Sequence, residues 1–425
     1  MDITALAPTF FLAVVVILLA CRVVVLVVAR LGQPPVVGEM IAGVLLGPSL
    51  VGLISPGLQE TLFPQQLKPV LYVVGQIGLV AFMFQAGHEF KSHRTGRIAG
   101  TAGAVSLAGM VVPLLLGVGI TLLAQGRVNI FVDGVPTGVA AAFVGVALAI
   151  TAFPMLARII TERGLAGTRF GSLALACGAV DDAVAWILLA FVLTAATGHS
   201  GPALITLGGS VLFGIAVATV GRRVLAWVLG QPRLSAQTRL LLTVAVLFAA
   251  AWYTDEIGLY AVFGAFCVGI ALPSGPVADR VVNTIAPVTN TVFVPLFFAY
   301  SGLNTKFGLL TEPSLLVFSA VCVVVAVVGK FGACWAVARL RGEPPEVAAR
   351  VGALMNARGL MQLVALNIGL QAGIVNQELF TVLVLVALVT TVMATPSLSW
   401  LDRRDRRRAA RTPSPSATPD VAPAG

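Results

Sequence analysis

The chain has 425 residues, of which 58% are hydrophobic and only 11% charged, and it carries a formal net charge of +9. Soluble domains carry about 25% charged residues. Apolar runs of about 20 residues recur here from end to end, which excludes a soluble core and points to a polytopic helical membrane protein. An outer-membrane barrel is excluded too, because it needs alternating runs of about ten residues.

Thirteen membrane segments are expected, at about 7–30, 34–53, 67–87, 97–124, 134–161, 169–197, 202–229, 236–254, 257–272, 281–301, 313–340, 346–371 and 377–399. The ninth is short and is expected to be tilted or broken. The first is too long for the apolar part of a cleaved signal and lacks a basic stretch before it. No soluble domain interrupts the series. A membrane domain over 1–400 is followed by a basic, Pro/Ser/Ala-rich tail, 401–425, expected to be disordered. Cys21, Cys177, Cys267, Cys322 and Cys334 all lie in apolar segments without a CxxC pair and read as small core residues.

Basic residues decide the orientation. One set of alternate loops holds Arg30, Lys91, Arg94, Arg97, Arg158, Arg163, Arg169, Arg222, Arg223, Arg233, Arg239, Arg280, Arg339, Arg341 and Arg350, and the tail adds six arginines between 403 and 411. The opposite loops hold only Lys68, Arg127 and Lys306. The first set is therefore cytoplasmic, with the N-terminus outside and the C-terminus inside the cytoplasmic membrane. This accounts for the positive charge without nucleic acid.

Six charges remain inside segments: Arg22, Lys330 and Arg358 against Glu39, Asp181 and Asp182. Asp181 and Asp182 stand side by side near the middle of GSLALACGAVDDAVAWILLA. Each ionised carboxylate there costs roughly 2.5–3.5 kcal/mol on insertion scales, and such residues mark ion paths or proton relays. Neighbours on a helix point about 100° apart, so either the helix unwinds or each Asp has its own partner. Lys330 lies some 15 Å of helix rise from the nearer end of its segment, too deep to snorkel. An Asp of the 181–182 pair is its natural partner, and a buried lysine can also exchange a proton.

Segment five carries Pro154, which breaks the helix, with the Thr151 hydroxyl beside the break. Broken helices at mid-membrane are tolerated where they line a cavity or are buried in protein, and freed carbonyls with a hydroxyl suit a small hard cation. Segment twelve is interrupted by Asn356, Arg358, Gly359 and Gln362. The two interrupted segments lie seven apart and so run in opposite directions, the sequence signature of a transporter built on inverted repeats. The first repeat is read at 34–197, linking helices at 202–254 and the second repeat at 257–399, with 7–30 as an extra helix. Glu39 is read as structural or as lining an access funnel. His88 and His93 flank a cytoplasmic loop as solvated or pH-sensing residues. His199 carries no signal.

GQPPVVGEMIAGVLLGPSLVG, AITAFPMLARIITERGL, AVDDAVAW, FVPLFFAYSGLNTK, GKFGACWA and NARGLMQLVALNIG, in that order, resemble the monovalent cation:proton antiporters of the second subfamily, most of all its cation/proton exchanger branch. The resemblance covers about 7–400. It implies thirteen helices in two inverted repeats, two crossed unwound helices, a dimerisation panel beside a mobile core, and a homodimer. By motif it makes Asp182 the ion-carrying carboxylate, Asp181 its neighbour paired with Lys330, and Thr151 and Arg358 the residues at the two crossings. Leu360 and Gln362 depart from acids found at those places in some relatives. The tail is too short for the nucleotide-binding domain of potassium-efflux relatives.

The expected function is exchange of Na⁺ or K⁺ for H⁺ across the lipid membrane, by competition for Asp182 and alternating access, with no further cofactor and no enzyme activity. The alternatives are a sodium-coupled symporter of similar fold and a passive channel, for which no TVGYG-like filter is present. An intramembrane aspartyl protease is disfavoured, because its two aspartates lie on separate helices and no GxGD motif occurs.

Overall fold

The computed structural model describes residues 6–92, 99–165, 167–197, 200–257 and 261–409, and these residues are helical with no strand. His93, His199 and the tail beyond Ala409 lie outside them.

In chain order, α1 (Ala7–Arg30) exposes Phe11, Leu12, Val15, Leu19, Val23 and Leu26, an apolar outer face on a helix long enough to cross a membrane. α2 (Pro35–Leu46) starts on a proline at its first position, where no amide is missed. Its span is completed by the short α3 (Val51–Ile54), and α4 (Pro56–Leu62) follows. Next come α5 (Leu67–Ser92) and α6 (Ala99–Leu123). The fifth span is broken into α7 (Thr137–Ala149) and α8 (Phe153–Glu162). α9 (Arg169–Thr197) carries both aspartates. α10 (Ser200–Ala216) passes through a π-helical turn at Val217–Gly221 into α11 (Arg222–Gly230).

α12 (Ala236–Glu256) is capped by Ser235, whose hydroxyl accepts from the Thr238 amide. α13 (Ala261–Ala271) is the short ninth span. The tenth runs from α14 (Pro276–Val288) through a second π-helical turn, Thr289–Phe293, into α15 (Val294–Leu303). It begins earlier than the hydropathy suggests because Gly275, at φ 140°, turns the chain and Pro276 opens the helix. α16 (Pro313–Leu340) is continuous. The twelfth span is broken into α17 (Pro345–Met355) and α18 (Leu360–Gln371), and α19 (Gln377–Ala409) closes the chain. Ten helical stretches are long and apolar enough to cross a membrane. With the two broken spans and α13 they make thirteen crossings among the described residues.

One expectation is corrected. Composition predicts disorder from residue 401, yet α19 continues past Trp400 to Ala409. Asp402 and Asp405 on this extension both pair with Arg350 of α17, at 2.9 and 2.7 Å, and the Arg404 guanidinium lies over the Trp400 ring. These ties order a stretch that is too polar to order itself.

The helices pack as two bodies. A panel forms from α1, α2, α5, α12, α13, α14 and α15, and a core from α6, α7, α8, α9, α16, α17, α18 and α19. Within the panel, backbones touch. A Cβ on Gly43 would collide with the Phe298 carbonyl, one on Gly302 with the Gly43 backbone, and one on Gly87 with the Phe266 carbonyl. Small residues at such places let membrane helices approach closely where lipid gives no hydrophobic drive to pack.

Candidate ion-binding site

The two broken spans cross at the centre of the core. α7 stops at Ala149, residues 150–152 are non-helical, and α8 restarts at Phe153 with Pro154 in its first turn. The proline therefore marks the start of the second half-helix, a position where its missing amide costs nothing. In the other span residues 356–359 are unwound and Gly359 precedes α18. The two crossings are stitched together, the Ala152 amide donating to the Ala357 carbonyl at 3.3 Å.

A half-helix ending inside a membrane leaves carbonyls without amide partners and a partial negative charge at that end. Two cations meet the end of α7. Arg358 donates to the Ala147 carbonyl at 3.0 Å and to the Leu148 carbonyl, and Lys330 donates to the Ala149 carbonyl. Both side chains are fully buried. The Thr391 hydroxyl holds the Arg358 carbonyl at 2.6 Å.

Both oxygens of Asp181 are engaged. Its Oδ2 accepts from Lys330 Nζ at 2.9 Å and from the Thr151 hydroxyl at 2.6 Å, and its Oδ1 from the Ser106 hydroxyl at 2.5 Å. Room for the lysine comes from α6, where Gly109 lies against Cys334 Sγ and the end of the Lys330 stem. Ser106 is absent from the candidates that the sequence offers. Its only signal is a hydroxyl one turn from that glycine in an otherwise apolar run.

Asp182 is the opposite case. It is 0% exposed, and neither carboxylate oxygen closes a hydrogen bond of ordinary geometry among the described residues. The amide of Phe153, the first residue of α8, is directed toward it. A carboxylate at the positive end of a half-helix is stabilised by the same dipole that the two cations oppose at α7. Trp186, one turn further along α9, also keeps a buried ring N–H with no acceptor among the described residues. The adjacent aspartates thus have separate surroundings on a helix that does not unwind.

Among the remaining candidates, Thr151 donates to Asp181 rather than standing beside Asp182, with a longer contact to the Met355 carbonyl at 3.4 Å. Asn356 donates to the Val327 carbonyl and Gln362 to the Leu383 carbonyl, each leaving its own side-chain oxygen buried without a donor among the described residues. Glu39 sits on α2, mostly buried and close enough to Cys21 of α1 to act on it electrostatically, away from the crossing. No cluster of three or more His, Cys, Asp or Glu side chains able to hold a metal occurs among the described residues.

The family model for the transmembrane part of sodium/hydrogen exchangers matches residues 13–403. The chain belongs to that family. Its relatives are transporters of the cation:proton antiporter class, not enzymes. The chain is 35% identical over 393 residues to the Na⁺/H⁺ antiporter NhaS4 of Synechocystis, covering 90% of this chain and 94% of that one. It is 33% identical to cation/H⁺ antiporter 18 of Arabidopsis thaliana, over 94% of this chain but 50% of that longer protein, so it spans about half the length of this plant relative. A further relative, the Na⁺/H⁺-K⁺ antiporter GerN of Bacillus cereus, is 26% identical with 92% and 96% covered. The fold is that of the sodium proton antiporter MjNhaP1 of Methanocaldococcus jannaschii, with a TM-score of 0.66 over 97% of this chain and 99% of that chain, at 14% identity.

Proposed function

We propose that this antiporter exchanges Na⁺ or K⁺ for H⁺ across the cytoplasmic membrane by competition for the Asp182 carboxylate, as a homodimer whose core moves against its panel. The observation that carries the reading is the contrast between two adjacent buried aspartates. Asp181 has both of its oxygens engaged, by Lys330, Thr151 and Ser106. Asp182 meets no side-chain donor among the described residues and has only the Phe153 amide directed toward it. A buried carboxylate with no charged partner and no side-chain donor calls for a proton or a cation, since an uncompensated charge there is costly.

One carboxylate cannot hold both, so loading one ion expels the other. Asp181 and Lys330 neutralise each other and stay in place, leaving Arg358 to balance Asp182 at longer range. The relatives' names support both cations, Na⁺/H⁺ for NhaS4 and Na⁺/H⁺-K⁺ for GerN.

The test is proton flux in everted vesicles on adding Na⁺, K⁺ or choline. Wild-type protein should release protons with Na⁺ or K⁺ and not with choline. Asp182→Asn should insert and fold as wild type and lose cation-dependent flux. Full flux in Asp182→Asn would place the carrier elsewhere.

A further inference from the structure

The last helix is longer than its crossing. The run 379–399 of α19 carries no charge and rises about 30 Å, the thickness of the hydrocarbon layer. Trp400 follows, at the depth where tryptophan anchors a span to the interface. From there the helix continues to Ala409. It passes through the headgroup layer, which is about 5–7 Å deep on each side.

The helical period sorts the charges of this extension onto two faces. Leu398, Leu401, Asp402 and Asp405 are spaced i, i+3, i+4 and i+7, and so share one face. Leu398 and Leu401 are buried, and Asp402 and Asp405 both pair with Arg350 of α17. Trp400, Arg403, Arg404 and Arg407 have the same spacing on the opposite face, and all four are exposed. The acids closest to these arginines in the chain are thus engaged elsewhere, and the outer face is basic.

Toward the membrane centre the same outer face continues as Pro396 and Met393, both exposed. Along one stripe the helix is therefore apolar, then aromatic, then basic. That order matches a phospholipid, from acyl chain through the ester region to the phosphate. The Arg404 guanidinium lies 5.6 Å from the centre of the Trp400 ring. Stacking holds it at the interface while its N–H donors remain available to phosphate oxygens. Arg163, just beyond α8, donates to the Ser399 hydroxyl at 3.1 Å and adds a positive charge at the flank. A free anion or a nucleic acid would need the arginines but not the apolar stripe that leads into them.

We propose that this face of α19 binds an anionic phospholipid, with Arg403, Arg404 and Arg407 on its headgroup phosphate and Trp400, Pro396 and Met393 along its chain. Asp402 and Asp405 tie the same two turns to Arg350, so a lipid held on the outer face also steadies the contact of α19 with α17. Bound lipid therefore stabilises the folded protein. The inference is independent of which ion is exchanged.

In the test, full-length protein in neutral detergent is titrated with phosphatidylglycerol, phosphatidylcholine or inorganic phosphate, and its thermal midpoint is followed. Phosphatidylglycerol should raise the midpoint saturably, and the other two should not. Arg403→Gln, Arg404→Gln and Arg407→Gln combined should raise the half-maximal lipid concentration roughly tenfold or more, since each basic residue at a membrane surface contributes several-fold. Lysine at the same three positions should retain most of the affinity, because a point charge still binds phosphate. Arg222→Gln, Arg223→Gln and Arg233→Gln combined remove the same charge from exposed positions in and after α11, and should leave the titration as in wild type.

No midpoint shift with phosphatidylglycerol overturns the proposal, and so does an equal shift with phosphatidylcholine or phosphate. A glutamine triple variant that responds like wild type places the lipid elsewhere. An α11 variant that loses as much as the α19 variant reduces the effect to overall charge, and a lysine triple variant as weak as the glutamine one removes charge as the cause. Either result sinks the site. Disulfide-linked dimers through Arg407→Cys, in vesicles containing phosphatidylglycerol, would show a second copy on this face and overturn it as well.

Discussion

Lys330 is a compact charge on a flexible stem, sited where water cannot reach it. Its two acceptors come from different elements, the Asp181 carboxylate on α9 and the Ala149 carbonyl at the end of α7. Removing one partner of a buried pair typically costs about 3–5 kcal/mol, because the other is stranded. Lys330→Ala should therefore lower the thermal midpoint in detergent substantially, and so should Asp181→Asn. The double variant should lose less than the sum of the two, since neither charge is then stranded. Simple additivity in that cycle would mean that the pair contributes no coupling. The depth of Lys330 and the apolar surroundings of the aspartates are plain in the sequence, because both follow from counting residues along a helix. The division of labour between the aspartates is not. It depends on Ser106 and Thr151 arriving from α6 and from the α7–α8 break, and serine and threonine occur in membrane helices for many reasons.

At the scale of the element, the two broken spans are legible from Pro154 and from the run Asn356, Arg358, Gly359 and Gln362. Backbone freed by a helix breaker at mid-membrane is tolerated only where protein or a water-filled cavity surrounds it. Which end each cation serves is hidden, since it requires the crossing itself. Arg358 bridges two carbonyls of α7, and its planar fork suits that task better than the point charge of a lysine. Arg358→Met should leave the Ala147 and Leu148 carbonyls bare, at about 1–3 kcal/mol for each. Thermal unfolding should show that loss, with Arg358→Lys recovering only part of it. A fully stable Arg358→Met would mean that the end of α7 needs no cap. In the panel, Gly302→Val should force α2 and α15 apart at the Gly43 backbone. Overpacking commonly costs about 1–3 kcal/mol, and more where the obstacle is backbone. Comparable stability for Gly302→Val and wild type would contradict that crossing. Composition alone does not show these contacts, because glycine is frequent throughout the chain and only the packing distinguishes those that touch backbone.

At the scale of the molecule, the segment count follows from hydropathy, while the grouping into panel and core comes from packing and has no local sequence signal. Orientation joins the two kinds of information. Arg169 at the start of α9 pairs with Glu343, between α16 and α17, at 2.7 Å. Arg350 of α17 reaches Asp402 and Asp405 near the end of α19 and lies over the Phe170 ring. These contacts place the start of α9, the α16–α17 connection and the end of α19 on one face. That face also carries Arg163, Arg339, Arg341, Arg403, Arg404 and Arg407, whereas the loops of the other face hold only Lys68, Arg127 and Lys306. Basic residues close to membrane segments are retained on the cytoplasmic side. A fluorescent reporter that matures only in the cytoplasm, fused after residue 409, should therefore be bright, and alkaline phosphatase at the same place should be inactive. Phosphatase fused between α1 and α2, after Arg30, should be inactive as well, because the single crossing of α1 separates that loop from the outer N-terminus. Active phosphatase after residue 409 would reverse the molecule.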